Sequence, residues 1–590
     1  MYGRVAVTVQ PQVSWRTLLD ALDHHAQATP DRTAFIFLND GEEESGRLTW
    51  SEVRCRSLGV ARMLSDHAAA GERALLLYPP GLEFITSFLG CLYAGVIAVP
   101  LYAPHPRRPD ARLVTVARDC DPRLVLSDGP TLERCAAALD GQEDLAGAER
   151  LATDENPAVA SAVHPPVRPQ DIAFLQYTSG STSSPRGVCV THENLLANER
   201  MIEQAMWLSR DTVFVSWLPT HHDMGLIGDT LQPVYLGCLS CKMPPASFLQ
   251  HPRRWLAAVT RYRGTIIGSP NFGYDLCVRR IPPEERRLFD LGSLRVTYCG
   301  SEPIRAETMN GFARAFEPCG LDPKSMYPCY GMAELTLLAS GGPPMRSLVA
   351  LSAGAASLHR HKVRPPQADD SVTLVSCGRL AAGSDALIVD PGTLEICPPD
   401  SIGEIWISGP HVAGGYWGNR ERTAEVFEAR TACGKGPFLR TGDLGCLREG
   451  ELYVTGRLKD IIIIRGQNLY PQDIERAAHE SNPMLAGCMS AAFGVRSAGG
   501  EEIVLVQEAP RTATLEQAEQ LAGQIVRSVN EQLAAGQIRV VMVRWGEVPR
   551  TSSGKVRRGA CREAYLGGGL STVQHRSRAP EAQARLLETV

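Results

Sequence analysis

Residues 177–188, YTSGSTSSPRGV, are where residue types and spacing point most directly to chemistry. The stretch carries six hydroxyl side chains, Thr178, Ser179, Ser181, Thr182, Ser183 and Ser184, with Gly180 and Gly187 as flexible points. Backbone N–H groups and hydroxyls on such a loop suit phosphate oxygens, and glycine lets the backbone come close. It is not a P-loop, because no Gly-Lys-Ser/Thr follows at the required spacing. A Ser/Gly run is also the composition of a flexible linker. Here a short apolar run at 172–176 precedes it and helical spacing at 191–207 follows it, so a phosphate loop between strand and helix is expected.

Other reactive side chains fall just after apolar runs. A strand expected at 213–218 leads to His221, His222 and Asp223. Another at 294–298 leads to Cys299, Gly300, Ser301 and Glu302, and a third at 325–330 to Gly331, Met332, Ala333 and Glu334. Small and polar residues at successive strand ends make a ligand crevice at the carboxyl edge of a sheet. The His-His-Asp triplet taken alone fits a metal site or a surface role. Cys238 and Cys241 form the sole CxxC among seventeen scattered cysteines. A zinc site needs a second pair, so free thiols in a reducing compartment are expected instead.

The positioning elements follow from hydrophobic spacing. A helix is expected over 15–28, strands over 33–38 and 47–50, a helix over 51–68 capped by Ser51, a strand over 73–78 and a helix over 82–94. This alternation predicts an α/β fold with crossover helices. Residues 128–169 read as irregular surface structure. Residues 340–371 break the rhythm and read as an insertion, and 374–456 is rich in strands and turns, as a small β subdomain would be. Beyond 457–460, Pro471 opens a helix with Asp473 and Glu475 in its first turn. Leu521, Ile525, Val529 and Leu533 form one apolar stripe, and a polar tail begins at Gly567. The expected domains are thus 1–456 and 457–566, followed by a tail over 567–590.

The chain has 590 residues, 44% apolar and 21% charged, with a net charge of −5. That is ordinary for a globular enzyme of several packed units and leaves no nucleic-acid footprint. The first fifteen residues lack a signal-peptide core, and the longest apolar run, 88–103, carries Pro100 and is too short to span a bilayer. A cytoplasmic protein without a transmembrane segment is expected.

Five motifs in order, YTSGSTSSPRG, YGMAE, RTGDLG, GRLKD and TSSGK, resemble those of the adenylate-forming superfamily of acyl-CoA synthetases, adenylation domains and luciferases. The resemblance covers nearly the whole chain. LQYTSGST, WLPTHHDMGLIG, GSPNFGYDLC, YGMAELTLL and GRLKDIIIIRGQNLYPQDIE look most like the fatty acyl-AMP ligase branch.

That resemblance implies a large layered α/β domain with a β subdomain, followed by a small mobile α/β domain. It implies ATP and Mg2+ as cofactors, a fatty acid as substrate and a separate acyl carrier protein as acceptor. Thr178, Ser179, Gly180, Ser181, Thr182 and Gly187 would cradle phosphates. Tyr330 would stack on adenine, with Ser301, Glu302, Gly331, Met332 and Ala333 around it. Asp443 and Arg457 would meet the ribose, Glu334 would bind the metal, and Lys555 would stabilise charge at the α-phosphate. His222 would sit by the acyl carboxylate, with Met224 and Phe272 as acyl-pocket lining and Lys459 as hinge. Arg186 stands where the superfamily often has lysine, and Ala333 where it has threonine. Three alternatives stay open: an acyl-CoA synthetase, an amino-acid adenylating enzyme using Asp223 to hold an amine, and a non-catalytic acyl- or nucleotide-binding protein.

Overall fold

A computed structural model describes residues 15–106, 110–154, 156–177, 185–367, 370–464, 467–497, 500–533, 538–551 and 555–573. The fold is α/β, in layers. One six-stranded sheet has the spatial order Glu149–Ala152, Leu124–Ser127, Arg73–Tyr78, Ile97–Tyr102, Ile172–Tyr177, Gly187–Thr191. Its members pair in parallel except the last, which runs antiparallel to Ile172–Tyr177. A nine-stranded sheet has a parallel centre in which Val213–Ser216, Ile266–Ser269, Val296–Cys299 and Met326–Gly331 are successive neighbours.

The two sheets share one apolar core. Helix Leu82–Ala94 is buried at every position but Glu83 and packs along helix Trp50–Ser65. The approach is close because Gly90 lacks a side chain: a Cβ there would lie 2.7 Å from Val60. That all-round burial explains why the apolar run beginning at 82 reads as continuous rather than amphipathic.

Two local expectations need correction. The cap of helix Trp50–Ser65 is Thr49, not Ser51: Thr49 Oγ1 accepts the Glu52 N–H at 3.3 Å and Glu52 returns a bond to the Thr49 N–H at 2.8 Å, a reciprocal capping box. Residues 128–169 are not wholly irregular. Asp128 Oδ1 caps helix Gly129–Asp140 at the Thr131 N–H (2.7 Å), Cys135 and Leu139 are buried in the core, and Glu149–Ala152 adds an edge strand.

The later chain adds smaller sheets. Asp385–Val389, Gly403–Ser408, Leu439–Arg448 and Glu451–Arg457 form an antiparallel sheet of four. The stretch read as an insertion contributes the hairpin Ala350–Gly354 with Ser371–Val375 and the short helix Ala355–Leu358. Beyond Ile462, strands Ser490–Ser497, Gly500–Glu508 and Ile538–Val543 form a separate sheet, with Leu521, Ile525, Val529 and Leu533 of helix Leu515–Leu533 buried against it. Cys238 and Cys241 are buried free thiols, and among the described residues no group of three or more His, Cys, Asp or Glu is placed to hold a metal ion. No helix among them is long and apolar enough to cross a membrane.

Candidate active site

The parallel strands of the nine-stranded sheet deliver their reactive residues to one edge. Ser301 follows Val296–Cys299 in the left-handed region (φ +76°), a conformation that a non-glycine residue holds only where its surroundings fix it. Glu302 beside it accepts a bond from the Asn271 side chain at 3.0 Å. Tyr330 sits near the end of strand Met326–Gly331, and Glu334 follows in the turn Ala333–Leu335. Gly331 is required there, since a Cβ would lie 1.7 Å from the Leu337 carbonyl. Met332 closes the same turn by donating its N–H to that carbonyl at 3.0 Å, and Ala333 is buried beside it.

The four-stranded sheet meets this edge from the side. Asp443 and Arg457 are cross-strand partners. The Tyr330 hydroxyl donates to Asp443 Oδ2 at 2.8 Å, and Arg457 Nε donates to Oδ1 at 3.0 Å. Tyr330 is pushed well above the usual phenol range, by burial first and then by the Asp443 charge. Arg457 is held more firmly protonated, chiefly by Asp443. The carboxylate that would receive ribose hydroxyls is therefore fixed on both oxygens by groups from two sheets.

Glu334 is buried, and its carboxyl is raised above the ordinary range by desolvation. Its Oε1 accepts the Tyr416 hydroxyl at 2.9 Å. The Arg186 guanidinium lies 5.4 Å from the centre of the Tyr416 ring. Arg186, Tyr416 and Glu334 thus run in a line from the end of the Ser/Thr loop to the expected metal position. Tyr416 carries no signal in the sequence, standing 82 residues from its partner. A single buried carboxylate fits a Mg2+ ion that takes its remaining oxygens from phosphates and water.

Lys555 enters from the C-terminal segment. Burial lowers its ammonium below the usual lysine range, and the charges of Asp223, Glu302 and Asp443 partly offset this. Three acidic groups from three separate segments therefore act on one lysine more than a hundred residues further along the chain. Arg558, three residues on, pairs with Glu475 at 2.6 Å and with Asp460 at 3.7 Å. His222 Nδ1 lies 2.6 Å from Asp223 Oδ1. Asp223 is held at about 2 because the charges of His222 and Lys555 outweigh its burial. Lys459 lies in the turn Leu458–Asp460, where burial and the charges of Arg422 and Arg186 lower its ammonium.

An apolar cavity opens beside this cluster. It is lined by Asp223, Ser301, Tyr330 and Gly331 near the strand ends and by the apolar Ile202, Met206, Phe214 and Ile266. Of the residues expected to line an acyl pocket, Met224 does so. His222 is not among the lining residues and instead pairs with Asp223. Phe272 is not among the lining residues and instead packs edge-on to Trp217, with centroids 5.8 Å apart. Of the phosphate-loop residues, Thr178, Ser179, Gly180, Ser181 and Thr182 lie outside the described residues. Gly187 pairs with Tyr177, and a Cβ on it would lie 2.9 Å from that ring.

The AMP-binding enzyme family model matches residues 22–417. The medium-chain-fatty-acid–[acyl-carrier-protein] ligase JamA of Moorena producens is 39% identical over 94% of this chain and 96% of its own length. The long-chain-fatty-acid–AMP ligase FadD26 of Mycobacterium marinum is 36% identical over 95% and 99%. The fatty acyl-adenylate ligase of L. pneumophila, solved with acyl adenylate and pyrophosphate, superposes with a TM-score of 0.73 at 37% identity over 95% of this chain and 97% of that one. The chain belongs to the AMP-binding enzymes and, within them, to the fatty acyl-AMP ligases.

Proposed function

We propose that the protein uses ATP to convert a fatty acid to its acyl adenylate with release of pyrophosphate, and passes the acyl group to the phosphopantetheine arm of a separate acyl carrier protein. The observation that carries this reading is the meeting of Asp223, Ser301 and Tyr330 with an apolar cavity, where the Tyr330 hydroxyl also reaches Asp443 and the charge of Asp223 acts on Lys555. A carboxylate whose tail fills that cavity would present its oxygens to the α-phosphate beside this lysine.

Both reacting groups are anionic, so the rate depends on positioning and on cationic stabilisation of phosphoryl oxygens. Lys555 supplies that charge, and its partial desolvation strengthens it. Tyr330 offers a ring to adenine, and Asp443 accepts from the ribose hydroxyls while Arg457 pairs with its other oxygen. Asp223 aligns His222 beside the acyl carboxylate. Thr178 to Thr182 would bind the distal phosphates through N–H and hydroxyl groups. Glu334 would hold Mg2+, which would neutralise charge on the phosphates. Asp223 is already engaged by His222, and the cavity body is apolar, which argues against a substrate amine there.

The insertion supports the carrier protein over coenzyme A as acceptor. Tyr470 packs in one cluster with Ala353, Leu358 and Val363 of the inserted stretch. Asn468 donates twice to the His359 carbonyl, from its backbone N–H at 3.3 Å and its side chain at 3.0 Å. These contacts fall just beyond Lys459, about which a C-terminal domain starting near 457 would have to rotate to admit a thiol acceptor. Seventeen cysteines, all free, fit a cytoplasmic setting.

The test incubates the protein with ATP, Mg2+ and fatty acids of graded length, with coenzyme A or a phosphopantetheinylated carrier protein added separately. Acyl adenylate, followed by loading of the carrier protein alone, is the expected result. Rapid acyl-CoA formation would make the protein a synthetase, and no adenylate from any acid would overturn the fatty-acid reading.

A further inference from the structure

Lys555 is carried by a segment that turns back on itself. Arg550 and Val556 form an antiparallel bridge, the Thr551 N–H donates to the Lys555 carbonyl at 2.8 Å, and the Lys555 N–H donates to Thr551 Oγ1 at 3.0 Å. Arg557 closes the base by donating its N–H to the Pro549 carbonyl at 2.8 Å. These bonds fix the segment's own shape, not where it stands in the small domain.

An arginine on each side fixes that. Before Lys555, Arg550 Nη2 donates to both oxygens of Glu508, at 3.0 and 3.1 Å. Glu508 is fully buried at the end of strand Gly500–Glu508. Its oxygens also accept the N–H groups of Met489 at 3.2 Å, Gly546 at 3.0 Å and Val548 at 3.3 Å. After Lys555, Arg558 grips Glu475 in a fork, Nε to Oε1 at 2.7 Å and Nη2 to Oε2 at 2.6 Å. Glu475 belongs to helix Pro471–Glu480 and also accepts the Ala492 N–H at 3.0 Å. Such paired charged bonds fix direction as well as distance. The carboxylates whose charges act on Lys555 itself are different ones, Asp223, Glu302 and Asp443.

We propose that Arg550 and Arg558, backed by Glu508 and Glu475, are positioning residues that hold Lys555 at the α-phosphate, so that the small domain delivers the lysine on a rigid mount. The proposal rests on the adenylation reading and deepens it. A reaction accelerated by placement and charge needs such a mount, because a misplacement of about 1 Å can cost on the order of 10²-fold. The flexible four-carbon stem of a lysine supplies no rigidity of its own.

The test measures acyl-adenylate formation from ATP, Mg2+ and the fatty acid used fastest. Arg550→Gln and Arg558→Gln are each made in the full parent chain and in Lys555→Ala. In the parent, each should lower kcat by about tenfold to 10²-fold and leave the KM for ATP within about twofold, the signature of an interaction used only in the transition state. In Lys555→Ala the same substitutions should cost no further factor, since the mount acts only through its lysine. Arg558→Lys keeps the charge without the fork and should fall between the parent and Arg558→Gln. Equal fold losses with and without Lys555, or a parental kcat in a folded glutamine variant, would overturn the mount. Melting temperatures identify a variant that fails to fold; the other arginine then decides on the same criteria, with Arg558→Lys standing in for Arg558→Gln. A parent that adenylates no fatty acid would strike the adenylation reading and the mount with it, whereas an active parent with additive losses strikes the mount alone.

Discussion

The Tyr416 hydroxyl donates to Glu334 Oε1 at 2.9 Å while the Arg186 guanidinium covers the face of the same ring at 5.4 Å. One aromatic residue therefore links the end of the phosphate loop to the carboxylate expected to hold Mg2+. Burial raises the Glu334 carboxyl, and the bond from Tyr416 opposes that rise by stabilising the ionised form. Tyr416→Phe should weaken the apparent Mg2+ affinity of adenylation by about tenfold, the worth of one hydrogen bond to a charged group. A Mg2+ titration of pyrophosphate release checks this. An unchanged Mg2+ dependence would remove Tyr416 from the site.

Lys555 should be indispensable for the first half-reaction. Lys555→Ala is expected to slow acyl-adenylate formation by about 10²- to 10³-fold while the melting temperature stays near that of the parent. Near-parental rates would remove Lys555 from the chemistry.

The same lysine sets a pH dependence. Its ammonium is depressed by burial, and only the protonated form stabilises the phosphoryl oxygens. The sign follows: activity is retained below the folded pKa and lost as pH rises through it, so the alkaline limb of kcat/KM should fall below the usual lysine value of about 10.4. Lys555→Arg should remove that limb from whatever activity it retains. A limb unmoved in the arginine variant would assign it to another group.

Asp443→Asn should impair both binding and stability. Tyr330 and Arg457 each use one of its oxygens, so the amide leaves a half-exposed guanidinium without its counter-charge. A loss of about 1 kcal/mol in folding stability is expected, because solvent screens a pair whose cation is half exposed, with a raised KM for ATP. Denaturant unfolding and ATP titration read the two effects separately.

The insertion contact predicts acceptor choice. Replacing Tyr470 by Ser removes an apolar anchor between the inserted hairpin and the segment after the hinge, at a cost of about 3 kcal/mol in local packing. With coenzyme A present, acyl-CoA should then appear where the parent makes acyl adenylate alone. Adenylate formation without any acyl-CoA in the variant would free the insertion from that role.

Much of the site was legible because strand ends are legible. Apolar runs at 213–218, 294–298 and 325–330 stop at polar residues, and the carboxyl ends of parallel strands necessarily share one edge. Ser301, Tyr330 and Glu334 are thus grouped by the sequence alone, and the motif around Asp443 ties the β subdomain to them. Cap placement failed by two residues at Thr49, since Thr and Ser at 49 and 51 offer the same hydroxyl and only the returning Glu52 bond separates them.

The sequence by itself determined the layered α/β order, the reactive residue types, and the lysine held in the last motif. Each depends on periodicity or on residues close along the chain. Tertiary structure alone decided that Tyr416 holds Glu334 and that Phe272 packs on Trp217 rather than lining the cavity. Those relationships join segments tens of residues apart, and side-chain direction at such contacts is fixed by packing between layers, which no local pattern encodes.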